Sequence, residues 1–278
     1  MTDHIAGKSI VVTGAGGGFG RLVAQKAAAR GARVACGDID GAAAEATAES
    51  IRSNGGVAIA LAADVTQLDQ VVALVRAGVE AHGKIDVMVN NAGIMPLAFF
   101  ADHAAAYPAW SRCIDINIKG VLNGMVAAYD PMIAAGRGQI INISSIYGNF
   151  PVIGAAVYGA SKAAVNFLSE SFRLETRGKI KVTTVKPTGV PATGLSGSVV
   201  NPDASIGIIG HNMPDFLAMI ADMNAGTLPA ERLDAEHMDY ISLAPEHIAD
   251  AVLYAIDQPL GVSIGEITVR AAGDHFIL

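Results

Sequence analysis

The sequence predicts an α/β fold: a doubly wound, mostly parallel sheet of about seven strands with helices on both faces, within a single domain over residues 1–278. Strand-like apolar runs alternate with helix-like runs along the whole chain. Apolar content of 51% with 31 glycines suits a sheet buried on both faces beneath alanine-rich helices. The first apolar run also feeds a glycine-rich turn that opens a helix, the context in which such a turn carries information.

The first strand spans 8–13 and ends in Ile10-Val11-Val12-Thr13; the turn Gly14-Ala15-Gly16-Gly17-Gly18-Phe19-Gly20 follows. Leu22, Val23, Lys26, Ala27 and Arg30 then recur at helical spacing, giving a helix over 18–30. Backbone amides at that helix start can hold a pyrophosphate, because glycine keeps side chains out of the way. Gly14, Gly18, Phe19 and Gly20 are the candidate contacts. The second strand, 32–37, ends at Asp38 with Ile39 beyond it, where an acid can accept hydrogen bonds from both hydroxyls of an adenosine ribose. A carboxylate there repels a 2′-phosphate by on the order of 4 kcal/mol at about 4 Å and an effective dielectric near 20. NAD is therefore expected over NADP. The alternative, a turn-forming Asp38 in Gly37-Asp38-Ile39-Asp40, stays open at this point.

Further elements follow in order. A helix over 41–53 leads to a strand over 57–62 that ends near Asp64-Val65. A helix over 67–82 leads to a strand over 86–90 closed by Asn90-Asn91-Ala92-Gly93. The helix over 111–134 is apolar through Ile114, Ile116, Ile118, Val121 and Leu122, so Asn117 within it points to a polar duty. A strand over 138–144 runs into Ser144-Ser145, and the helix over 157–177 carries Tyr158 and Lys162 four residues apart, on one helical face. A free tyrosine has a pKa of about 10, so making it a working base near neutrality needs about 3–4 kcal/mol of differential stabilisation, much of which a neighbouring cation can supply. Strands over 180–186 and 266–270 and a helix over 245–257 complete the pattern.

Together these residues resemble the short-chain dehydrogenase/reductase family over nearly the whole chain. Thr13-Gly14-x-x-x-Gly18-x-Gly20 is similar to its cofactor loop, Asp64-Val65 to its adenine-contacting pair, and Asn91-Ala92-Gly93 to the segment that passes beneath the cofactor. The resemblance implies a Rossmann fold and a catalytic set of Asn117, Ser145, Tyr158 and Lys162. In it Ser145, thirteen residues before Tyr158, orients the substrate; Asn117 orders a water behind Lys162, and Lys162 holds the nicotinamide ribose. It further implies that Pro187 and Val190 lie beside the carboxamide. Lys186-Pro187-Thr188-Gly189-Val190-Pro191-Ala192-Thr193 departs from the family pattern: Thr188 replaces a glycine and Thr193 sits one residue late, which leaves the role of Thr193 undecided.

The implied activity is NAD-dependent interconversion of a secondary alcohol and a ketone, with Tyr158 as acid and base. Met95, Ile146, Tyr147 and Phe150 flank the catalytic positions and suggest a pocket for a bulky aromatic or alicyclic substrate. Residues 191–244 read as an enlarged substrate-covering lid. An acyl-thioester ketoreductase is the alternative enzyme, and a catalytically silent NAD-binding sensor or subunit the alternative of another class. The resemblance implies a homo-oligomer, a tetramer or dimer, packed through the two long helices.

A net charge of −7 argues against a nucleic acid or an anionic membrane surface as partner. The start Met1-Thr2-Asp3-His4 shows no charged-then-apolar leader and no apolar run is long enough to span a bilayer, so a cytoplasmic location is expected. The two cysteines, Cys36 and Cys113, and the scattered histidines offer no metal-like spacing, and no metal is expected.

Overall fold

The computed structural model describes residues 3–191 and 193–278. Met1, Thr2 and Ala192, which entered the reading above within the N-terminal and post-strand runs, lie outside the described residues.

Seven strands form one sheet in the order β3-β2-β1-β4-β5-β6-β7: β1 Ser9–Thr13, β2 Arg33–Asp38, β3 Val57–Ala62, β4 Val87–Asn90, β5 Gly138–Ile143, β6 Ile180–Pro187 and β7 Glu266–Val269. Every neighbouring pair is parallel, with Val11 opposite Ala35 on one side and Met88 on the other. These strands match the expected runs within about two residues, because a strand covered on both faces must be apolar throughout and is legible as such. On one face α1 (Gly18–Ala29), α2 (Gly41–Ser53) and α8 (Pro245–Ile256) pack through Val23, Ala27, Ala48, Val252 and Ile256. On the other, α3 (Leu68–His82), α5 (Gly120–Ala134) and α6 (Ala156–Glu175) pack through Leu74, Met125, Met132 and Val165. No described helix is long and apolar enough to cross a membrane.

Two stretches differ from the expectation. The helix expected from 111 begins at His103: α4 (His103–Cys113) runs on through a π-helical turn, Ile114–Lys119, into α5. Its early turns were hidden because Pro108 lies inside them. Pro108 is the sixth residue of α4, so the helix runs on past it without the N–H that would have bonded to the Ala104 carbonyl. The segment after β6 also holds more regular structure than a bare loop, namely 3-10 turns at Leu195–Ser198 and Pro202–Ile208 and a helix α7, Met213–Ala225, with Pro214 in its first turn and Gly226 left-handed at its end (φ 70°).

Strand β4 and α5 approach closely over Gly124. A Cβ there would collide with Asn90 Oδ1 and lie 2.9 Å from Met88 Cε. Asn90 is buried and committed, donating to Asn142 Oδ1 at 2.8 Å, while Asn142 donates to Ser169 Oγ at 2.8 Å. Gly124→Ala should therefore lower stability by about 1–3 kcal/mol through overpacking. A urea midpoint equal to that of the unmodified chain would show that the two elements can separate without loss.

Candidate active site

The carboxyl ends of the strands open onto a cavity of about 660 Å³. That is where a parallel α/β sheet leaves a crevice, since β1 and β4, joined to opposite halves, part there. Asn91 bridges the opening: its Nδ2 donates to the carbonyls of Thr13 (2.9 Å) and Gly14 (3.2 Å), and Thr13 Oγ1 accepts from the N–H of Asn91 (3.1 Å).

The glycine turn forms one wall. Gly14 (φ 66°) and Gly18 (φ 47°) hold left-handed conformations that disfavour a side chain. Gly17 caps α1 without a side-chain acceptor, so the first amides of a 12-residue helix face the cavity with their partial positive charge. Gly20 has a different position. It lies beneath the turn, where a Cβ would strike Gly14 O, and it does not line the cavity; the sequence expectation of a direct cofactor contact becomes one of close helix packing. Asp38 stands at the end of β2 on the cavity wall beside Ile39. Its Oδ2 accepts from Gly16 N (2.8 Å) and its Oδ1 from Asp40 N (3.0 Å), so it has the turn role as well. Two acceptor positions of the carboxylate remain for an outside donor.

Asp64, Val65, Ala92, Gly93, Pro187 and Val190 also line the cavity. Sequence reading missed Thr188 as a wall residue: its Oγ1 is buried without a hydrogen-bond partner among the described residues, as a group awaiting a ligand would be. Thr193 also lines the wall, and its carbonyl is 3.0 Å from where a Gly18 Cβ would be. A glycine-lined groove over a helix start, a carboxylate at the strand end and an orphaned hydroxyl fit a dinucleotide.

Tyr158, Lys162 and Ser145 meet on the same wall, all three buried. Asn117 sits behind them in the π-helical turn and does not line the cavity. Its Oδ1 accepts from Ile94 N and its Nδ2 donates to Ile94 O, each at 2.9 Å, with Ser161 Oγ 3.1 Å from Nδ2. A π turn widens the helix by one residue and is frequent at functional sites. Here it brings an asparagine to a loop backbone without a break in the helix. The electrostatics differ from the expectation. Burial pushes the Tyr158 phenol well above its usual range, with the Ser145 hydroxyl pulling the other way. Lys162 does not draw it down: its Nζ donates to Ile143 O at 2.9 Å and lies 5.8 Å from the phenol ring centre. Burial holds the Lys162 ammonium down to about 8. Burial disfavours the charged form of each group, and their attraction becomes large once the phenol ionises beside the ammonium.

Much of the remaining wall is apolar. Met95, Ile146 and Tyr147 line it as expected, Tyr147 edge-on to Tyr158 with ring centres 5.4 Å apart. Phe150 does not: after the turn Ile146–Gly148 the chain leaves the cavity toward Pro151, and the ring is 66% exposed. Ile208, Ile209, Phe216 and Phe276 take that place. They come from distant segments, and no local signal marks them. Arg112, in the last turn of α4, also reaches the wall.

A family model described as short chain dehydrogenase matches residues 8–203. Glycine betaine reductase ATRR of Emericella nidulans is 33% identical over 96% of this chain, and the chain spans only 19% of its length. The 2,5-dichloro-2,5-cyclohexadiene-1,4-diol dehydrogenase LinX of Sphingobium indicum is 35% identical over 68% of this chain and 76% of its own. Among solved structures, a 7α-hydroxysteroid dehydrogenase complexed with NADH and 7-oxo glycochenodeoxycholic acid aligns with a TM-score of 0.77. Its identity is 25%, over 99% of this chain and 97% of that one.

Lys162 has a consequence for stability. Its folded pKa of about 8 lies below the ordinary 10.5, so between those values the unfolded chain holds more protons and stability rises with pH. Below pH 8 the full penalty applies, on the order of 3 kcal/mol. Lys162→Met removes that penalty and loses one hydrogen bond worth about 1 kcal/mol. The variant should be more stable than the unmodified chain at pH 7, by about 1–2 kcal/mol in urea unfolding, with the gain fading toward pH 10. A destabilised variant at pH 7 would contradict the buried-charge reading.

Proposed function

We infer the reaction from one premise: this chain belongs to the short-chain dehydrogenase family. It is an oxidoreductase that acts on a CH–OH group with a nicotinamide dinucleotide. Beyond that, we propose that the cofactor is NAD and the substrate a bulky alicyclic or aromatic secondary alcohol or its ketone. The observation that carries this is the meeting of Tyr158, Ser145 and Lys162 beside the apolar side chains of Met95, Ile146, Tyr147 and Phe276 in the glycine-lined cavity.

The nicotinamide, when bound, takes hydride from the carbinol carbon or returns it. Tyr158 Oη removes the alcohol proton in oxidation and supplies it in reduction. Ser145 Oγ hydrogen-bonds the substrate oxygen and favours the ionised phenol. Lys162, released from Ile143 O, stabilises the phenolate and holds the ribose hydroxyls, while Asn117 keeps the Ile94 loop in place behind it. Apart from Lys162, Arg112 is the cation among the described lining residues, and the Asp38 carboxylate on the same cavity wall would repel a 2′-phosphate. That supports NAD. A single arginine also supplies less positive charge than the acyl-thioester reading would want. Residues 191–244 act as the lid in this proposal, supported by Leu195, Ser198, Ile208, Ile209 and Phe216 in the cavity wall. The named substrate of LinX and the bile acid bound by the hydroxysteroid dehydrogenase are both alicyclic, in keeping with the apolar wall.

We place the protein in the cytoplasm, in keeping with two free, buried cysteines, and propose that it is a homo-oligomer. Leu122, Val126, Tyr129, Phe167 and Leu174 leave apolar surface exposed on α5 and α6. Light scattering should give a mass of two or four chains; a monomer at micromolar concentration would refute the assembly.

Purified protein offered NAD or NADP with alcohols from small aliphatic to alicyclic and aromatic should form NADH fastest with the bulky apolar members. Tyr158→Phe should cut kcat by about 10²–10⁴ with NADH affinity retained. Unchanged function in that variant would favour the binding-only sensor. Asp38→Asn keeps an acceptor for Gly16 N and removes the charge, and should shift the NAD to NADP preference at least about tenfold toward NADP. An unshifted ratio would leave Asp38 only its turn role.

A further inference from the structure

The opposite end of the sheet carries a second cavity, of about 310 Å³, away from the catalytic crevice. Four neighbouring strands enter there, and each brings a cation: Lys8 just before β1, Lys84 before β4, Arg137 before β5 and Lys181 at the second residue of β6. Parallel neighbours lie about 4.8 Å apart, so four positive side chains converge across roughly 14 Å of sheet edge. In a chain of net charge −7 such a concentration is against the overall balance.

The carboxylates nearby neutralise it only in part. Asp86 Oδ2 is shared between Lys84 Nζ and Ser9 N, each at 2.8 Å. Asp3 pairs with Arg30, outside the cavity, at 3.0 Å. Lys181 Nζ donates to the carbonyls of Val262 (3.0 Å) and Pro259 (3.3 Å), which are neutral acceptors. Lys8 and Arg137 have no ion-pair partner among the described residues. Burial, before any neighbour, holds the ammoniums of Lys8 and Lys181 below their usual range; Lys84 and Arg137 press Lys8 further, and Asp86 opposes them. An anion among them would relieve both the burial and the mutual repulsion.

The charge points to the kind of anion. Convergent cations call for a multivalent oxyanion, and a phosphate or phosphomonoester carries that charge in a compact group with several acceptor oxygens.

We propose that this cavity binds a compact phosphoryl anion at the amino ends of the central strands, a site separate from the cofactor crevice. The test is thermal unfolding of the full chain with saturating NADH, so that the start of α1 is already occupied. Inorganic phosphate, pyrophosphate and a sugar phosphate are each compared with sodium chloride at matched ionic strength. Expected is a rise of about 3 °C beyond chloride at millimolar ligand for at least one of them. The rise should be lost in Lys8→Met/Arg137→Gln. Response to inorganic phosphate alone identifies the free ion as ligand, and a stronger response to the sugar phosphate identifies a phosphorylated metabolite. If none exceeds chloride, or if the double variant responds like the unmodified chain, the proposal is overturned. Should the double variant not fold, calorimetric titration of Arg137→Gln, which changes an exposed side chain, must show at least about threefold weaker binding; unchanged affinity overturns the proposal.

Discussion

Asn91 ties the ends of β1 and β4 where the strand order turns back, and both halves of the cavity are placed from that tie. Its side-chain amide holds the carbonyls of Thr13 and Gly14, while Thr13 Oγ1 holds the amides of Asn91 and Ala92. A parallel sheet leaves these strand-end groups without ladder partners, and inside a crevice they would be expensive to leave unpaired. Once they are paired, the glycine turn has one geometry: Gly20 packs beneath Gly14 O, α1 starts at Gly18, and the amides of that first turn point into the cavity. Gly93 is placed by the same tie, near Asn117 Oδ1 and Lys162 Nζ.

The proton-handling groups lie where their charged forms are disfavoured. Tyr158 is pushed up and Lys162 down by burial, and Lys162 satisfies its donors on the Ile143 carbonyl. At neutral pH the phenol therefore stays neutral, while Lys162 still carries its proton at a cost. A ligand that completes the site supplies hydrogen bonds and charge that the protein lacks, so the reactive protonation state belongs to the complex. Tyr147 is similarly high, pushed to about 12 by burial alone, which makes it a neutral wall for the substrate. The two tyrosines stand edge to face, and Ser145 serves them differently: its hydroxyl accepts from the backbone N–H of Tyr147 at 3.3 Å and draws down only the phenol of Tyr158.

What could be read in the sequence follows from the range of the interactions. The strands were legible because burial on both faces requires unbroken apolar runs, and the turn after β1 because left-handed backbone at Gly14 and Gly18 favours glycine. Tyr158 and Lys162 were readable by their spacing, and Ser145 and Asn117 through the family resemblance; the structure puts Ser145, Tyr158 and Lys162 on one wall with Asn117 behind it. Other features were not legible. A π turn at Ile114–Lys119 has no residue signature, so the helix looked regular. Phe150 was assigned to the pocket on nearness in sequence, and a three-residue turn was enough to send its ring to solvent. The direction in which Tyr158 shifts depends on burial and on the actual place of Lys162 Nζ, neither of which a four-residue spacing determines. Helix α7 had readable ends in Pro214 and Gly226, obscured by the irregular turns before it.

The substrate end of the cavity is built from two segments that depend on each other more than on the sheet. Ile277 N donates to Ile208 O at 3.0 Å and Asn212 Nδ2 to His275 O at 3.0 Å, so residues after β7 lie along the segment after β6. Arg270 fastens that tail through Asp274 at 2.6 Å and the Phe276 carbonyl at 2.8 Å. Phe276 then sits against Gly189, where a Cβ would strike its ring, and beside Ile146, Ile208 and Ile209. Ser145, Tyr158 and Lys162, by contrast, are fixed at the end of β5 and in α6 within the core. Changes in the two outer segments can therefore reshape the apolar end of the cavity while Ser145, Tyr158 and Lys162 keep their places. That division lets one sheet serve different alcohols, with the tail and the segment after β6 as the parts to vary.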